Sequence, residues 1–492
     1  MQIERKLYSE KLVTPLMVIG LLLGSLLFSV LIVKVGAIAG FLALGVLVGL
    51  PFVIGSVANV RFGFVLAVVF AFFMFHLKRI LPGTLPTGTI LDLIIACAFL
   101  GVILVPGKNS KKNWESLKNP HAYVYAVWLA YWVIQVANPF AAGIGGWLFS
   151  ARGTLVNAML YVVVMHVFSS KKYIFTFTKI WLGLALLVAL YGFWQEFVGL
   201  SDWEMEWLKA DEERFNLVYI WGRFRKWSFL SDVSAFGMFM TYSGIVCIIM
   251  ALGPFKSWQR AVLMFSGVIM FFSMNFSGTR TAIAMIPAGL SLYALMTINQ
   301  KRTIILVSVS AAAFLILLFG PFYGGNAQRF RSTFFPEDDP SMLVRERNRA
   351  FIQPYIWSHP IGGGVTTTGP AGEMYQPGHQ LAGFPPDNGY LETALEKGPI
   401  GLLLTMALFI TSLIIGIRAY YRSENPITRY LLAAYLAAFF AMAVGNYAQT
   451  AMFQKPGGLI LFAYYAIIVR MAQFDKEERE QGEQSVAHEV EE

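Results

Sequence analysis

Charge is the commodity this sequence has least of. Only 14% of its 492 residues are Asp, Glu, Lys or Arg, against roughly 25% in a typical soluble domain. That argues against a soluble enzyme with a large core. The formal net charge of +9 does not point to nucleic acid, because many basic residues fall in short clusters where apolar runs end. Cysteine is nearly missing: Cys97 and Cys247 both lie inside apolar runs, so buried thiols are expected and neither a disulfide nor a metal site. Nucleotide-binding loops and internal repeats are missing as well. The triplet Gly362-Gly363-Gly364 has no strand and helix around it and reads as a turn. A small-residue cleavage site is also lacking after the first apolar run, which is therefore expected to stay as a membrane anchor.

What is present is hydrocarbon. The chain is 57% hydrophobic and 15% aromatic, arranged in repeated runs of about 18 residues or more. The fold class expected is all-α: a polytopic transmembrane helical bundle of about 12–14 spans, with a long, partly helical extracytoplasmic loop before the last spans. Runs begin at Leu12–Val33, Ala37–Val57, Gly63–Leu77 and Leu91–Val105. The loop bearing Lys108, Lys111, Lys112 and Lys118 follows and is assigned to the cytoplasm by the positive-inside rule. Further runs are His121–Val136, Thr154–Phe168, Tyr173–Val198, Val233–Leu252, Val262–Met274, Thr281–Ile298, Ile304–Phe319 and Gly401–Ile417, with two more before Arg470. Alternation from the basic loop places both termini in the cytoplasm and the 323–398 loop outside. Four regions follow: N-terminal helices 1–222, a core 223–417, C-terminal helices 418–472, and a charged tail 473–492 that reads as solvated.

The exceptions to the positive-inside rule carry the chemistry. The outer segment before Val233 holds Lys209, Arg214, Arg223, Arg225 and Lys226. Arg280 sits in Ser277-Gly278-Thr279-Arg280-Thr281, where two apolar runs meet, and the long loop adds Arg329, Arg331, Arg345, Arg347 and Arg349. Arginine near hydrocarbon is costly unless paired or facing a polar cavity. Local acids such as Glu212, Glu213, Glu337, Asp338, Asp339 and Glu346 offer pairing for most of these. Arg280 has no acid near it in sequence and small or hydroxylic neighbours, a setting suited to forking onto phosphate oxygens. The expected ligand is an anion at the membrane surface, for which a lipid-linked phosphate or diphosphate fits. Trp203, Trp207, Trp221, Trp227, Tyr375 and Tyr390 stand near the same face, as interface markers or as platforms for sugar rings.

Three pieces of sequence resemble the O-antigen ligase and polysaccharide polymerase families of bacterial envelopes. SGTRTAIAMIPAGL resembles the Ser-Arg motif that opens a span. RFRKWSFLSDVSAFG is similar to the arginine, aromatic and Asp/Asn-bearing entry to the preceding spans. VRERNRAFIQPYIWSHPIGGG and DNGYLETALEKGPIGLLL resemble the loop and its His-Asn, nine residues, Gly signature, here Asp387, Asn388 and Gly398. The ligases commonly carry histidine where this chain has Asp387, which is compatible with a polymerase.

The resemblance implies transfer of a glycan from a polyprenyl diphosphate carrier to an acceptor hydroxyl outside the cytoplasmic membrane, with inversion and without metal, nucleotide or other cofactor. Its partners would be the lipid-linked oligosaccharide, the membrane, and flippase and chain-length or export proteins of the same pathway. By matched position, Arg280 and one of Arg223 or Arg225 would grip the diphosphate, with Arg345 as a further ligand. Asp387 holds the position of the base, and His379 is its rival. Asp387 also suits a helix N-cap before Tyr390, and His359 a turn before Pro360. The Gly- and Pro-rich segment 362–386 is expected to form an irregular lid. The non-enzymatic alternative, a flippase or exporter, would more often carry charge through the bilayer midplane, where these runs are largely uncharged.

Overall fold

The computed structural model describes residues 25–26, 29–30, 33, 49–81, 86–106, 110–220, 222–321, 331, 350, 352–386, 388–450 and 453–491. Most of the run Leu12–Val33, most of Ala37–Val57, the charged residues 337–349 with Arg345 among them, and Asp387 lie outside this set. Long helices make up the described chain: α1 Val60–Ile80, α2 Thr87–Leu104, α3 Pro120–Ile134, α4 Gly145–Val167, α5 Lys171–Phe197, α6 Val233–Ala251, α7 Ser257–Phe276, α8 Arg280–Thr297, α9 Lys301–Phe319, α10 Gly389–Arg422, α11 Pro426–Gly445 and α12 Gly457–Glu491. Among the described residues nine helices are long and apolar enough to cross a membrane. Their only strands there are the two-residue pair Tyr219–Ile220 and Arg223–Phe224. The protein is an all-α, polytopic helical bundle.

α6 is the axis of the bundle. Every residue of its 19 except Ser234 is buried, and it packs against α5, α7, α8 and α11. Its N-terminus is fixed by Asp232, whose carboxylate accepts from the amides of Ser234 and Ala235 at 2.9 and 3.0 Å. Gly237 lets α7 come close: a Cβ there would stand 2.3 Å from Ser277 Oγ. Without a hydrophobic force between helices in lipid, such small-residue contacts are what hold spans together.

Two ends of the bundle are distinct. At one, Lys112 pairs with Glu477 at 2.8 Å and Lys171 with Glu478 at 2.7 Å, so the basic loop, the α4–α5 turn and the C-terminal part of α12 meet. At the other stand the segment 201–232, the α7–α8 turn and the described parts of the long loop. The segment 201–232 contains two short helices, Asp202–Lys209 and Glu212–Val218, and then the hairpin Tyr219–Phe224. Arg79, 5% exposed, binds it to α1 by donating to the carbonyls of Ser228, Leu230 and Ser231 while lying between Trp207 and Trp227.

The loop 352–398 is better ordered than an irregular lid. It includes the helix Gly369–Tyr375 and clamps onto the connection between α3 and α4, where Gln135 and Asn138 side-chain amides donate to the carbonyl of Ile361 at 3.0 and 3.2 Å. The triplet Gly362–Gly364 is indeed a turn, and the amides of Gly363 and Gly364 donate to the carbonyls of Leu395 and Glu396 at 2.8 and 2.9 Å. α10 is broken at Gly398, whose φ of 69° is left-handed. The stretch 389–397 is therefore a separate short helix ahead of the apolar span. It is capped by Asn388, whose Oδ1 accepts from Tyr390 N and Leu391 N. This corrects the capping alternative drawn from sequence: the helix takes its cap from Asn388, one residue on from Asp387.

Gly398 also has no room for a side chain, since a Cβ would stand 2.1 Å from the Pro360 carbonyl oxygen. Gly398→Ala is therefore expected to destabilise the protein by about 2 kcal/mol or more, from left-handed strain and backbone clash together. Thermal unfolding of the purified variant in detergent checks this; a midpoint equal to wild type would refute it.

Candidate functional site

The α7–α8 turn is built to hold Arg280 at the first residue of a helix. α7 ends at Phe276, the chain turns through Gly278 at φ 57°, and α8 begins at Arg280. Ser277 Oγ donates to the Met274 carbonyl at 2.7 Å and accepts from Thr279 N at 3.1 Å. The neighbouring hairpin docks here: Lys226 N donates to the Phe276 carbonyl at 2.9 Å. Arg225 Nε donates to the Ser277 carbonyl at 2.7 Å, and its terminal nitrogens donate to Leu217 O and Thr279 Oγ1, both at 3.2 Å. Thr279 Oγ1 in turn donates to the Val233 carbonyl at 3.2 Å. One guanidinium thus ties the hairpin, the turn and the start of α6 together, a few residues from Arg280.

The sequence-derived arginines separate by environment. Arg225 and Arg280 are brought together around Thr279. Arg223 is ion-paired with Glu196, an acid at the end of α5 that also lies 3.8 Å from Lys226 Nζ. Burial lowers the pKa of Lys226 below the usual lysine value, with Glu196 opposing that shift. Sequence reasoning did not single out Glu196, which lies 27 residues away from Arg223 in the chain. Arg280 starts α8 where the helix dipole is already positive. A guanidinium added there concentrates positive potential at one spot, the arrangement an anion requires.

The second group of residues surrounds the Gly362–Gly364 turn. His379 Nδ1 accepts from Leu381 N at 3.1 Å, and the ring also bonds the Phe140 backbone. Burial lowers its pKa, as does His359, whereas the Phe140 bond and Glu396 raise it. The ring is thus held by backbone groups on its own loop and on the α3–α4 connection. His359 Nδ1 lies 2.9 Å from the Tyr355 carbonyl and its ring stacks on Tyr355 at 4.0 Å, closing the turn into Pro360 as the sequence implied.

Sequence reasoning missed Glu392. It stands one turn before Glu396 on the 389–397 helix, four residues after Asn388. Glu396 is occupied, accepting from Thr368 Oγ1 at 2.9 Å and lying 3.8 Å from Lys397 Nζ. The Glu392 amide donates to the Asn388 carbonyl at 2.9 Å, while its carboxylate has no hydrogen bond or ion pair among the described residues. Burial first, then the Glu396 carboxylate, raises its pKa to about 7, with Lys397 opposing. The i, i+4 spacing of two acids was visible in sequence; the burial that makes it unusual was not.

These elements share one end of the bundle. Gly389 N donates to the Asn446 carbonyl at 3.0 Å and the Tyr390 hydroxyl to that of Ala443, fixing the 389–397 helix on the end of α11. α11 packs along α8, where a Cβ at Gly445 would stand 2.7 Å from Met285 Sδ. The Arg280 helix and the signature helix are therefore both neighbours of one helix end.

The Glu392 environment gives a signed pH dependence. Its folded pKa lies above the ordinary carboxyl value of about 4.5, so the folded state holds the proton more tightly, and stability falls as pH rises from about 4.5 through 7. Glu392→Gln is expected to raise the unfolding midpoint at pH 8 and leave it nearly unchanged at pH 4.5. Equal shifts at both values would show that the carboxylate is not strained there.

Comparison with known families agrees with this geometry. Residues 265–406 match the O-antigen ligase family model, a stretch running from within α7 through the Arg280 turn and the long loop into α10. No curated protein matches the chain. This multi-pass membrane protein accordingly carries, over residues 265–406, a stretch similar to the O-antigen ligase family of cell-envelope polysaccharide enzymes.

Proposed function

We propose that the protein is a polysaccharide polymerase of the bacterial envelope. It transfers a growing glycan from a polyprenyl diphosphate carrier to a sugar hydroxyl on a lipid-linked acceptor, on the outer face of the cytoplasmic membrane. The observation that carries this reading is the Arg225-braced turn, which presents Arg280 at a helix start beside the end that seats the Asn388–Gly398 helix.

In the reaction the acceptor oxygen attacks the anomeric carbon from the face opposite the diphosphate, inverting it. The carbon–oxygen bond to the carrier breaks, and polyprenyl diphosphate leaves with the electron pair. Arg280 binds the diphosphate and stabilises the charge that develops on it, and Arg225 contributes by fixing the turn. Arg223, paired with Glu196, adds to the field more than to direct contact. Arg345 is proposed as a further phosphate ligand on the family position. The acceptor proton passes to Asp387. Glu392, with a pKa near the operating pH, suits the same task and stands in for a base of the Asp387 region more readily than His379 does. Guanidinium groups supply the positive charge, so the scheme asks for no metal. The basic end that joins Lys112 and Lys171 to the C-terminal helix is the cytoplasmic one in this reading.

Arg280→Ala and Asp387→Ala, each at wild-type membrane level, are expected to cut long polymer at least a hundredfold while lipid-linked single units accumulate. Glycan length on gels from the native host reads this directly. Long lipid-linked polymer accumulating without transfer to its final acceptor would indicate a ligase. Single units that never reach the outer face would indicate a flippase, and normal product from both variants would remove the assignment.

A further inference from the structure

A second polar cluster lies at the opposite end of the bundle from the Arg280 turn. There the last turns of α8 and α10 and the first turns of α11 surround a cavity of about 60 Å³. Tyr293 and Thr297 of α8, Gln300 ahead of α9, Tyr420 of α10, and Arg429 and Tyr430 of α11 line it. Lys171, at the start of α5, donates to Thr428 Oγ1 at 3.3 Å. The cavity therefore stands at the end that Lys112 and Lys171 join to α12, cytoplasmic in the proposed orientation.

The lining is rich in donors and includes no carboxylate. Tyr430 donates to Gln300 Oε1 at 3.2 Å, and Gln300 Nε2 donates to the Tyr420 hydroxyl at 3.5 Å. Tyr293 is fully buried, and its hydroxyl has no hydrogen-bond partner among the described residues. The hydroxyls beside it, Thr297 and Thr303, are bonded to each other at 2.8 Å. The Arg429 guanidinium lies 5.2 Å from the centre of the Tyr420 ring and has no ion pair among the described residues. Lys301, Arg302, Arg418 and Arg422 stand exposed at the same helix ends, and Glu424 is the one acid between α10 and α11.

Buried donors without acceptors cost free energy. Water fills a polar space of this size but leaves the guanidinium charge unmatched. A tetrahedral oxyanion satisfies a guanidinium fork and converging hydroxyls together. We propose that this cavity takes the phosphate group of an anionic phospholipid from the adjacent leaflet. Arg429 forks onto its oxygens, and the Tyr420 and Tyr293 hydroxyls are further donors. Only the head enters. The acyl chains need no enclosed volume, because Leu295, Ile298 and Ile427 are exposed at the same helix ends and continue the lipid-facing surface. A negatively charged leaflet concentrates such heads at a basic protein end. The bound head clasps α8, α10 and α11 together, and this role is independent of the transferred glycan and of Arg280.

The test is thermal unfolding and native mass spectrometry of the purified full chain in detergent, titrated with dioleoyl phosphatidylglycerol. Dioleoylglycerol supplies the same tails without phosphate, and inorganic phosphate supplies the anion without tails. Phosphatidylglycerol is expected to raise the unfolding midpoint saturably, and dioleoylglycerol to leave it unchanged. Arg429→Gln should weaken phosphatidylglycerol binding about tenfold or more, the loss of a charge-assisted hydrogen bond. Arg418→Gln, which removes an exposed arginine at the same end, should not. An equal response to dioleoylglycerol, or undiminished binding in Arg429→Gln, would overturn the proposal. An equal shift with inorganic phosphate would assign the cavity to a soluble phosphate and overturn the lipid assignment. If Arg429→Gln does not fold, hydrogen exchange of the wild-type chain decides. Phosphatidylglycerol should slow exchange in peptides covering residues 297–302 and 423–430, and unchanged exchange there refutes the site.

Discussion

Every helix end at a membrane boundary leaves carbonyls that lipid cannot satisfy, and this protein answers that demand chiefly with arginine. Arg225 takes the carbonyls of Ser277 and Leu217. Arg79 takes three on the run into α6. At the opposite end Arg470 donates to Phe168, Arg260 to Ala251 and Arg302 to Leu252. A guanidinium suits the work because its five donors point in a fixed planar fork and its charge strengthens each bond. The positions of α6, of the α7–α8 turn and of the hairpin follow from these bonds.

This gives the outer arginines two meanings. Those that hold carbonyls are fasteners, and their presence outside the membrane is explained by helix ends that need donors. Arg280 differs in kind, because it opens a helix instead of closing one. Positive charge on a positive helix end is a setting that favours an anion, and the proposed diphosphate would supply one.

Much of the scaffold was legible in the sequence because burial in lipid demands continuous apolar runs. Val233–Leu252 was read almost to the residue, and the structure ends that helix at Ala251. Val262–Met274 was read too short, since Gln259 and Arg260 sit in the first turn of a helix running from Ser257 to Phe276. The Ser-Arg motif and the Asn388–Gly398 spacing were legible too, and the glycine's meaning became physical once the Pro360 carbonyl was found against it. What stayed hidden was contact between distant parts. Arg79 meets Ser231 across 152 residues, Glu196 meets Arg223, and Arg429 meets a cavity walled by α8 and α10 as well as by its own helix. None of these leaves a periodic trace. Glu392 escaped notice because a glutamate on a short helix is ordinary until its surroundings are known.

The amides of Gly363 and Gly364 are bonded to the carbonyls of Leu395 and Glu396, so the chain between them leaves and returns at one point. It is a closed loop standing on a fixed base. Within it Leu381 and Thr367 are fully buried and Gln376 Oε1 accepts from Gly143 N at 3.1 Å, so the segment 365–386 is bolted to the α3–α4 connection as well as closed on itself. Substitutions at its exposed positions, such as Met374, leave those anchors in place, whereas a change of length shifts them.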